Sequence, residues 1–130
     1  DSTDPIGYAQ PLFGEGFYQD IYNCLNDSGI VVSQGESPWY QKEMQTKLLS
    51  IKSKLFDVVS IYNFSNLTYP GGLWSFTYAS KGLHPLNDFK KDRVLKSRLK
   101  FKYYNEAIHE AAFAIPQFQK ESVQEFIKGM

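Results

Sequence analysis

The chain has 130 residues, of which 42% are hydrophobic and 16% aromatic, so it can form one globular domain and is too apolar to be disordered. Its single cysteine excludes a disulfide framework or a zinc site built from several cysteines, and no apolar run is long enough to span a membrane. The formal net charge is +0, but residues 1–41 contain six acids and no lysine or arginine, which favours amines or metal cations over phosphates as ligands of this segment.

Residues 1–13 form a predicted loop at the start of the chain. Pro5 has no amide hydrogen and Gly7 tolerates a positive φ, so regular structure is not expected here. Asp1 and Asp4 stand three residues apart, which leaves two interpretations open. They are a turn or helix-cap pair, which the spacing alone favours, or two carboxylates that bind a cation and can take a proton from it.

Helices and strands alternate in the next part of the chain. Apolar spacing predicts helices over residues 15–25 and 39–56, the second with its lysines opposite the apolar stripe. Apolar, β-branched runs predict strands over residues 30–33 and 57–64, the first of them buried on both faces. The second helix lies between these strands, so the pattern predicts a β-α-β unit with two parallel strands.

The remaining sequence predicts one more strand and short helices. Residues 73–79 alternate large apolar and small polar side chains, and the short Pro-Gly loop before them indicates a hairpin. This strand is therefore expected to be antiparallel and to lie at an edge of the sheet. Helices are predicted over residues 105–112 and 117–127. The predicted fold class is α/β, with the appearance of the carboxyl-terminal half of such a domain.

Polar side chains are concentrated in three loops, over residues 1–13, 34–39 and 65–72. Ligands of open α/β sheets bind beyond the carboxyl ends of strands, where these loops are expected. Carboxylates, an amide and aromatic rings in such loops suit a di- or polyamine, because they can bind ammonium groups and cover the methylene chain. The predicted pocket residues are Asp1, Asp4, Gln34, Glu36, Trp39, Tyr40, Tyr69 and Trp74.

Other chemistries have less support in the sequence. There is no Gly-rich strand-to-helix turn of the dinucleotide or P-loop kind. Neither His84 nor His109 has a second ligand at metal spacing, so no metal site is predicted. The basic run over residues 90–102 lacks a nucleic-acid recognition motif, and a solvated surface is the favoured interpretation. Neither nucleic acid nor a membrane is expected as a partner, and the cytoplasm is the expected location.

Five segments, in this order and at these spacings, resemble the spermidine synthases, a family of aminopropyltransferases. They are residues 1–7 (DSTDPIG), 34–39 (QGESPW), 68–74 (TYPGGLW), 102–105 (KYYN) and 109–113 (HEAAF). The resemblance extends to about Phe118. It implies a methyltransferase-like, Rossmann-like sheet with an antiparallel edge strand and flanking helices. Residues 1–130 would be the carboxyl-terminal part of a single catalytic domain whose amino-terminal half is absent.

The resemblance also implies an activity and a role for individual residues. The activity is transfer of an aminopropyl group from decarboxylated S-adenosylmethionine, a cosubstrate, to putrescine, with no other cofactor and no metal. The products are spermidine and methylthioadenosine, which places the reaction in polyamine biosynthesis. Asp1 matches the catalytic base. The positions matching the amine site are Asp4, Gln34, Glu36, Tyr69 and, beside the amine channel, Trp74. Those matching the mobile loop over the cosubstrate are Ser2, Tyr8, Ala9 and Leu12.

Several alternatives remain open at this stage. The family's Gly-rich cosubstrate loop has no match in these residues, so the 130-residue chain alone is expected to be inactive, and a homodimer or homotetramer is expected only at full length. A non-catalytic relative could use the same pocket for polyamines or for a partner subunit. A methyltransferase of the same fold would leave the paired acids and Tyr69 unexplained. The acceptor amine could also be one other than putrescine.

Overall fold

The computed structural model describes residues 7–130, which form an α/β structure around a three-stranded sheet. A 3-10 helix, Gly7–Phe13, leads into α1 (Glu15–Cys24). The strands are β1 (Ile30–Glu36), β2 (Val58–Ser65) and β3 (Leu73–Ser80), and α2 (Lys42–Leu55) connects β1 to β2. The later helices are short: α3 (Lys91–Lys96), α4 (Glu106–Ala112) and α5 (Gln117–Val123).

The strand order is β1-β3-β2, and β3 is antiparallel to both neighbours. β1 and β2 therefore run in the same direction, as the β-α-β pattern predicts. The prediction of an antiparallel strand is confirmed, but its predicted place at an edge is wrong, because β3 is the middle strand of the three. After β1, helix α2 leads to β2, which does not pair with β1. The chain then turns back through a hairpin, and β3 fills the position between β1 and β2.

The sheet and α2 enclose the main core. Its buried members are Leu49, Phe56, Val59, Ile61, Ala79 and Val123. A second cluster joins α1 to α2 through Tyr18, Leu48 and Ile51. Helical spacing explains the α2 residues, since Leu48, Ile51 and Leu55 recur three or four positions apart and so face the same side.

β1 is not buried on both faces, which corrects the prediction for residues 30–33. Ile30 and Val32 are 43% and 45% exposed, whereas Val31 packs against the core. Alternate residues of a strand face opposite sides, and among residues 7–130 the helices α1 and α2 pack on the side of Val31. The other side of β1 borders an open, mostly apolar groove.

The carboxyl-terminal segment pairs with the outer edge of β2 at one residue. Helix α5 ends at Val123, earlier than the predicted residue 127, and Lys128 then pairs with Val59 as an antiparallel bridge. The two residues exchange backbone hydrogen bonds of 2.9 and 3.0 Å. Backbone groups at a strand edge need hydrogen-bond partners, and this bridge supplies them for Val59. The chain after Val123 forms this bridge and does not continue α5.

Candidate functional site

A cavity of about 550 Å³ lies where the end of β1, the loop after it and the loop before β3 meet. Its lining residues are Gln34, Glu36, Ser37, Tyr40, Gln41, Tyr69, Pro70 and Trp74. Four predicted amine-site residues, Gln34, Glu36, Tyr69 and Trp74, therefore line one cavity although they come from two distant stretches of the chain. Sequence reasoning missed Ser37, Gln41 and Pro70, which flank predicted residues and show no chemical pattern of their own.

The aromatic part of the cavity is formed by Tyr69 and Trp74. Their rings are stacked with centroids 4.3 Å apart, and Trp74 is 7% exposed whereas Tyr69 is 45% exposed. Trp74 is therefore held by the sheet and supports the more exposed ring of Tyr69. A supported ring of this kind is a suitable contact for an ammonium group or a methylene chain.

The loop before β3 approaches the end of β1 closely at Gly71. Its φ is 87°, in the left-handed region that favours glycine, and a Cβ there would lie 3.1 Å from Trp39 Cδ1 and 3.2 Å from Tyr40 Cε2. Tyr40 lines the cavity as predicted, but Trp39 does not. Instead the Trp39 ring stacks on Phe118 of α5 at 4.1 Å, so it fastens α5 to the site loop.

Glu36 enters the site from an irregularity in β1. Opposite β3, Gln34 pairs with Phe76 and Glu36 with Ser75, so Gly35 is an extra residue, as in a β-bulge. A Cβ at Gly35 would lie 2.6 Å from Ser75 Oγ, which explains why glycine occupies the bulge. Glu36 itself has a φ of 65°, an unfavourable value for a residue with a side chain.

The remaining predicted site residues lie outside this cavity or outside the described part of the chain. Asp1, Ser2 and Asp4 precede residue 7, where the description begins. Tyr8, Ala9 and Leu12 were expected in a loop without regular structure, but residues 7–13 form a 3-10 helix beside α1. The Tyr8 side chain is exposed, Ala9 is buried and Leu12 is 39% exposed. These three residues do not line the cavity.

Lys52 is a buried ionisable residue that was predicted wrongly to lie on the solvent side of α2. It is four residues after Leu48 and so faces the sheet, where its Nζ donates to Thr77 Oγ1 at 2.6 Å and to Ser33 Oγ at 2.8 Å. Burial lowers the pKa of Lys52 to about 7. Its Nζ also lies 4.9 Å from the centre of the Tyr18 ring. The spacing of Lys52 from Leu48, four residues along the helix, was the signal in the sequence that Lys52 faces the core.

Within residues 7–130, no three side chains of His, Cys, Asp or Glu lie close enough together to hold a metal ion. None of the helices in that range is both long and apolar enough to cross a lipid bilayer.

Comparison with known proteins gives the family of the chain. The family model described as the spermine/spermidine synthase domain matches residues 1–91. The chain belongs to this family. It is 40% identical to a polyamine aminopropyltransferase of Alkaliphilus metalliredigens, with 95% of this chain and 44% of the relative aligned, and 42% identical to one of Clostridioides difficile, with 96% and 45% aligned. The chain thus spans less than half the length of these curated relatives.

Solved structures support the same assignment. A crystal structure of spermidine synthase in complex with the transition-state analogue AdoDATO matches with a TM-score of 0.90 and 39% identity, over 95% of this chain and 43% of that one. Spermidine synthase from Thermotoga maritima matches with a TM-score of 0.88, over 96% of this chain and 42% of the other. The predicted α/β class is therefore confirmed, and the chain corresponds to a carboxyl-terminal portion of this methyltransferase-like fold.

Proposed function

We propose that the chain is the carboxyl-terminal part of a single aminopropyltransferase domain that makes spermidine. In this proposal an aminopropyl group passes from decarboxylated S-adenosylmethionine to putrescine, and methylthioadenosine is released. The observation that carries the proposal is the convergence of Gln34, Glu36, Tyr69 and Trp74 on one cavity, in a chain that belongs to the spermine/spermidine synthase family.

The lining of the cavity suits a short diamine. Its volume of about 550 Å³ falls within the range of small-molecule sites, roughly 300–1,000 Å³. A diamine has an ammonium group at each end and apolar methylenes between them. Glu36 offers a carboxylate for an ammonium, Gln34 offers an amide oxygen, and the stacked rings of Tyr69 and Trp74 offer an apolar wall with negative faces.

The reaction is a displacement at carbon. The uncharged nitrogen of the diamine attacks the carbon beside the sulfonium, an N–C bond forms, and the C–S bond breaks with its electron pair left on sulfur. The attacking amine has to lose one proton, and we assign its removal to Asp1 acting as general base. Asp4 joins Glu36 in holding the remaining ammonium. Sulfonium is already a good leaving group, so orientation of the two substrates and exclusion of water are the main tasks of the protein.

The cosubstrate side of the site is assigned to the start of the chain. Ser2, Tyr8, Ala9 and Leu12 are proposed to belong to a segment that closes over decarboxylated S-adenosylmethionine. Closure of such a segment would exclude water from the sulfonium centre. A homodimer or homotetramer in the cytoplasm completes the proposal, with no cofactor or metal beyond the cosubstrate.

The test is an assay of methylthioadenosine release by the protein of full family length, with putrescine and decarboxylated S-adenosylmethionine. We expect turnover, and we expect Asp1→Asn to reduce kcat by at least ~10²-fold, the lower end of a general-base contribution. Near-normal turnover in Asp1→Asn would contradict the assignment of the base. Putrescine binding in calorimetry without product formation by the wild type would instead indicate a non-catalytic polyamine-binding relative.

The 130-residue chain by itself gives a second result. We expect it to release no methylthioadenosine, because the family's Gly-rich cosubstrate loop has no counterpart in its sequence. Measurable turnover by the isolated chain would overturn this part of the proposal while leaving the reaction itself intact.

A further inference from the structure

A buried network of amide side chains lies directly behind the cavity. It begins at the backbone carbonyl of Glu36, which accepts hydrogen bonds from Ser75 Oγ at 2.8 Å and from Gln45 Nε2 at 3.2 Å. Gln45 Nε2 also donates to Ser75 Oγ at 2.9 Å. Gln45 and Ser75 are 1% and 0% exposed, so both donors are shielded from water.

The network continues away from the cavity through the oxygen of the Gln45 amide. The amino group of Gln45 is directed toward Glu36, and its Oε1 accepts from Gln119 Nε2 of α5 at 3.4 Å. Gln119 is held in turn by Asn63 of β2, whose Nδ2 donates to Gln119 Oε1 at 2.6 Å and whose Oδ1 accepts from Gln119 Nε2 at 3.2 Å. The orientation of the Gln45 amide is set at the other end of the network, because the Glu36 carbonyl can only accept a hydrogen bond and so requires the amino group of Gln45.

The hydrogen bonds meet at a residue whose backbone conformation is unfavourable for a side chain. A residue with a side chain is strained at the φ of 65° found for Glu36, and such a conformation persists only where neighbours over-determine it. Two donors on one carbonyl provide that constraint. Burying an amide such as Gln45 is itself unfavourable unless the amide is hydrogen-bonded, and here both of its polar atoms have partners.

We propose that Gln45 is a positioning residue: its amide holds Glu36 in the left-handed backbone conformation that places Glu36 in the cavity wall, and so sets the affinity for the ammonium group of the diamine. This inference rests on the proposed function for the identity of the ligand. Gln45 does not line the cavity, so it acts through Glu36 and not by touching the substrate.

The test compares Gln45→Met with the wild type in the protein of full family length. Methionine has nearly the same length and shape but cannot donate to the Glu36 carbonyl. We expect the KM for putrescine to rise roughly 10-fold, in line with the loss of a buried hydrogen bond, while the KM for decarboxylated S-adenosylmethionine changes less than about twofold.

Gln45→Met could also lower the stability of the protein, so the experiment needs a control that is destabilised without a change at Glu36. Val123→Ala serves as the control, because Val123 is fully buried in the main core and does not line the cavity. This variant should lower the melting temperature and leave the putrescine KM unchanged. If Gln45→Met changes the putrescine KM no more than Val123→Ala does, the proposal is wrong.

A second measurement does not depend on activity. Crystal structures of wild type and Gln45→Met should differ at Glu36, with loss of the positive φ or displacement of the residue from the cavity wall in the variant. An unchanged Glu36 in Gln45→Met would overturn the positioning role even if the protein is a spermidine synthase. Conversely, absence of aminopropyl transfer by the wild type would refute the proposed function. The comparison of the two crystal structures at Glu36 would then still test whether Gln45 positions that residue.

Discussion

The ring of Tyr69 stacks on that of Trp74 with 4.3 Å between centroids, and both residues line the candidate diamine cavity. Because Trp74 is buried in the sheet, it fixes the plane of the more exposed Tyr69 ring. The wall of the cavity is thus a supported aromatic surface. Tyr69 can contribute to diamine binding through its ring, through its hydroxyl or through both, and substitutions can separate the two contributions.

Tyr69→Ala should raise the KM for putrescine roughly 10-fold in the protein of full family length, because a cation–π or stacking contact contributes about 1–2 kcal/mol. Tyr69→Phe keeps the ring and should raise the KM for putrescine much less if the ring provides most of the binding energy. Steady-state kinetics with varied putrescine measure both. Equal effects of the two substitutions would show instead that the hydroxyl carries the contribution.

Glu36→Gln should weaken diamine binding while keeping the shape of the side chain. A carboxylate gives an ammonium a charge-assisted hydrogen bond, commonly contributing about 1.5–3 kcal/mol, so we expect the putrescine KM to rise roughly 10-fold or more. The KM for decarboxylated S-adenosylmethionine is the internal control and should be nearly unchanged. A rise confined to the cosubstrate KM would place Glu36 in the other half of the site.

Gly35→Ala should destabilise the protein because the bulge has no room for a methyl group. The new Cβ would lie 2.6 Å from Ser75 Oγ and 3.1 Å from the Thr77 amide nitrogen, and overpacking of this kind typically costs about 1–3 kcal/mol. Gly16→Ala in α1 is the matched control. Within residues 7–130, no atom other than its chain neighbours and the backbone of α1 lies within 4 Å of the Cβ it would add, so this variant should be as stable as the wild type or slightly more stable. Thermal unfolding of both variants measures the difference, and equal melting temperatures would contradict the close contact.

Both the helices and strands and several residues of the candidate site are predicted from patterns that are local in the sequence. Apolar periodicity marks α1, α2 and the strands, and polar residues at strand ends mark Gln34 and Glu36, because both patterns are local. The place of β3 in the middle of the sheet was not predictable in this way, since strand order depends on pairing between segments that are distant in the chain.

The buried polar residues show a different limit of sequence reasoning. Lys52 and Gln45 lie on the inner side of α2. Their residue types are usually exposed, so the lysines of this helix were all predicted to lie opposite the apolar stripe. What makes their burial possible is a set of partners on other elements, such as Thr77 for Lys52 and Ser75 for Gln45. No single segment of the sequence contains that information.

Lys52 should make the stability of the protein depend on pH. The groups that face its Nζ are Tyr18 of α1, Ser33 of β1 and Thr77 of β3, and none of these is a carboxylate. Burial lowers the Lys52 pKa to about 7 in the folded protein, whereas an unfolded chain has the ordinary lysine value of ~10.4. Between these two values the unfolded state binds the extra proton. The free energy of unfolding must therefore rise with pH, at up to about 1.4 kcal/mol per pH unit, and the penalty from Lys52 is largest at and below pH ~7.

Lys52→Met should remove this dependence. It deletes the buried charge and leaves the hydroxyl groups satisfied, because Ser33 Oγ lies 2.9 Å from both Tyr18 Oη and Thr77 Oγ1. We expect a melting temperature higher by about 5 °C or more at pH 7, with the difference from wild type shrinking as the pH approaches 10. Lys54→Met is the control in the same helix, since Lys54 is exposed and paired with the exposed Glu15. Thermal unfolding from pH 6 to 10 distinguishes the variants: a pH-independent difference between Lys52→Met and wild type would mean that Lys52 keeps an ordinary pKa in the folded protein.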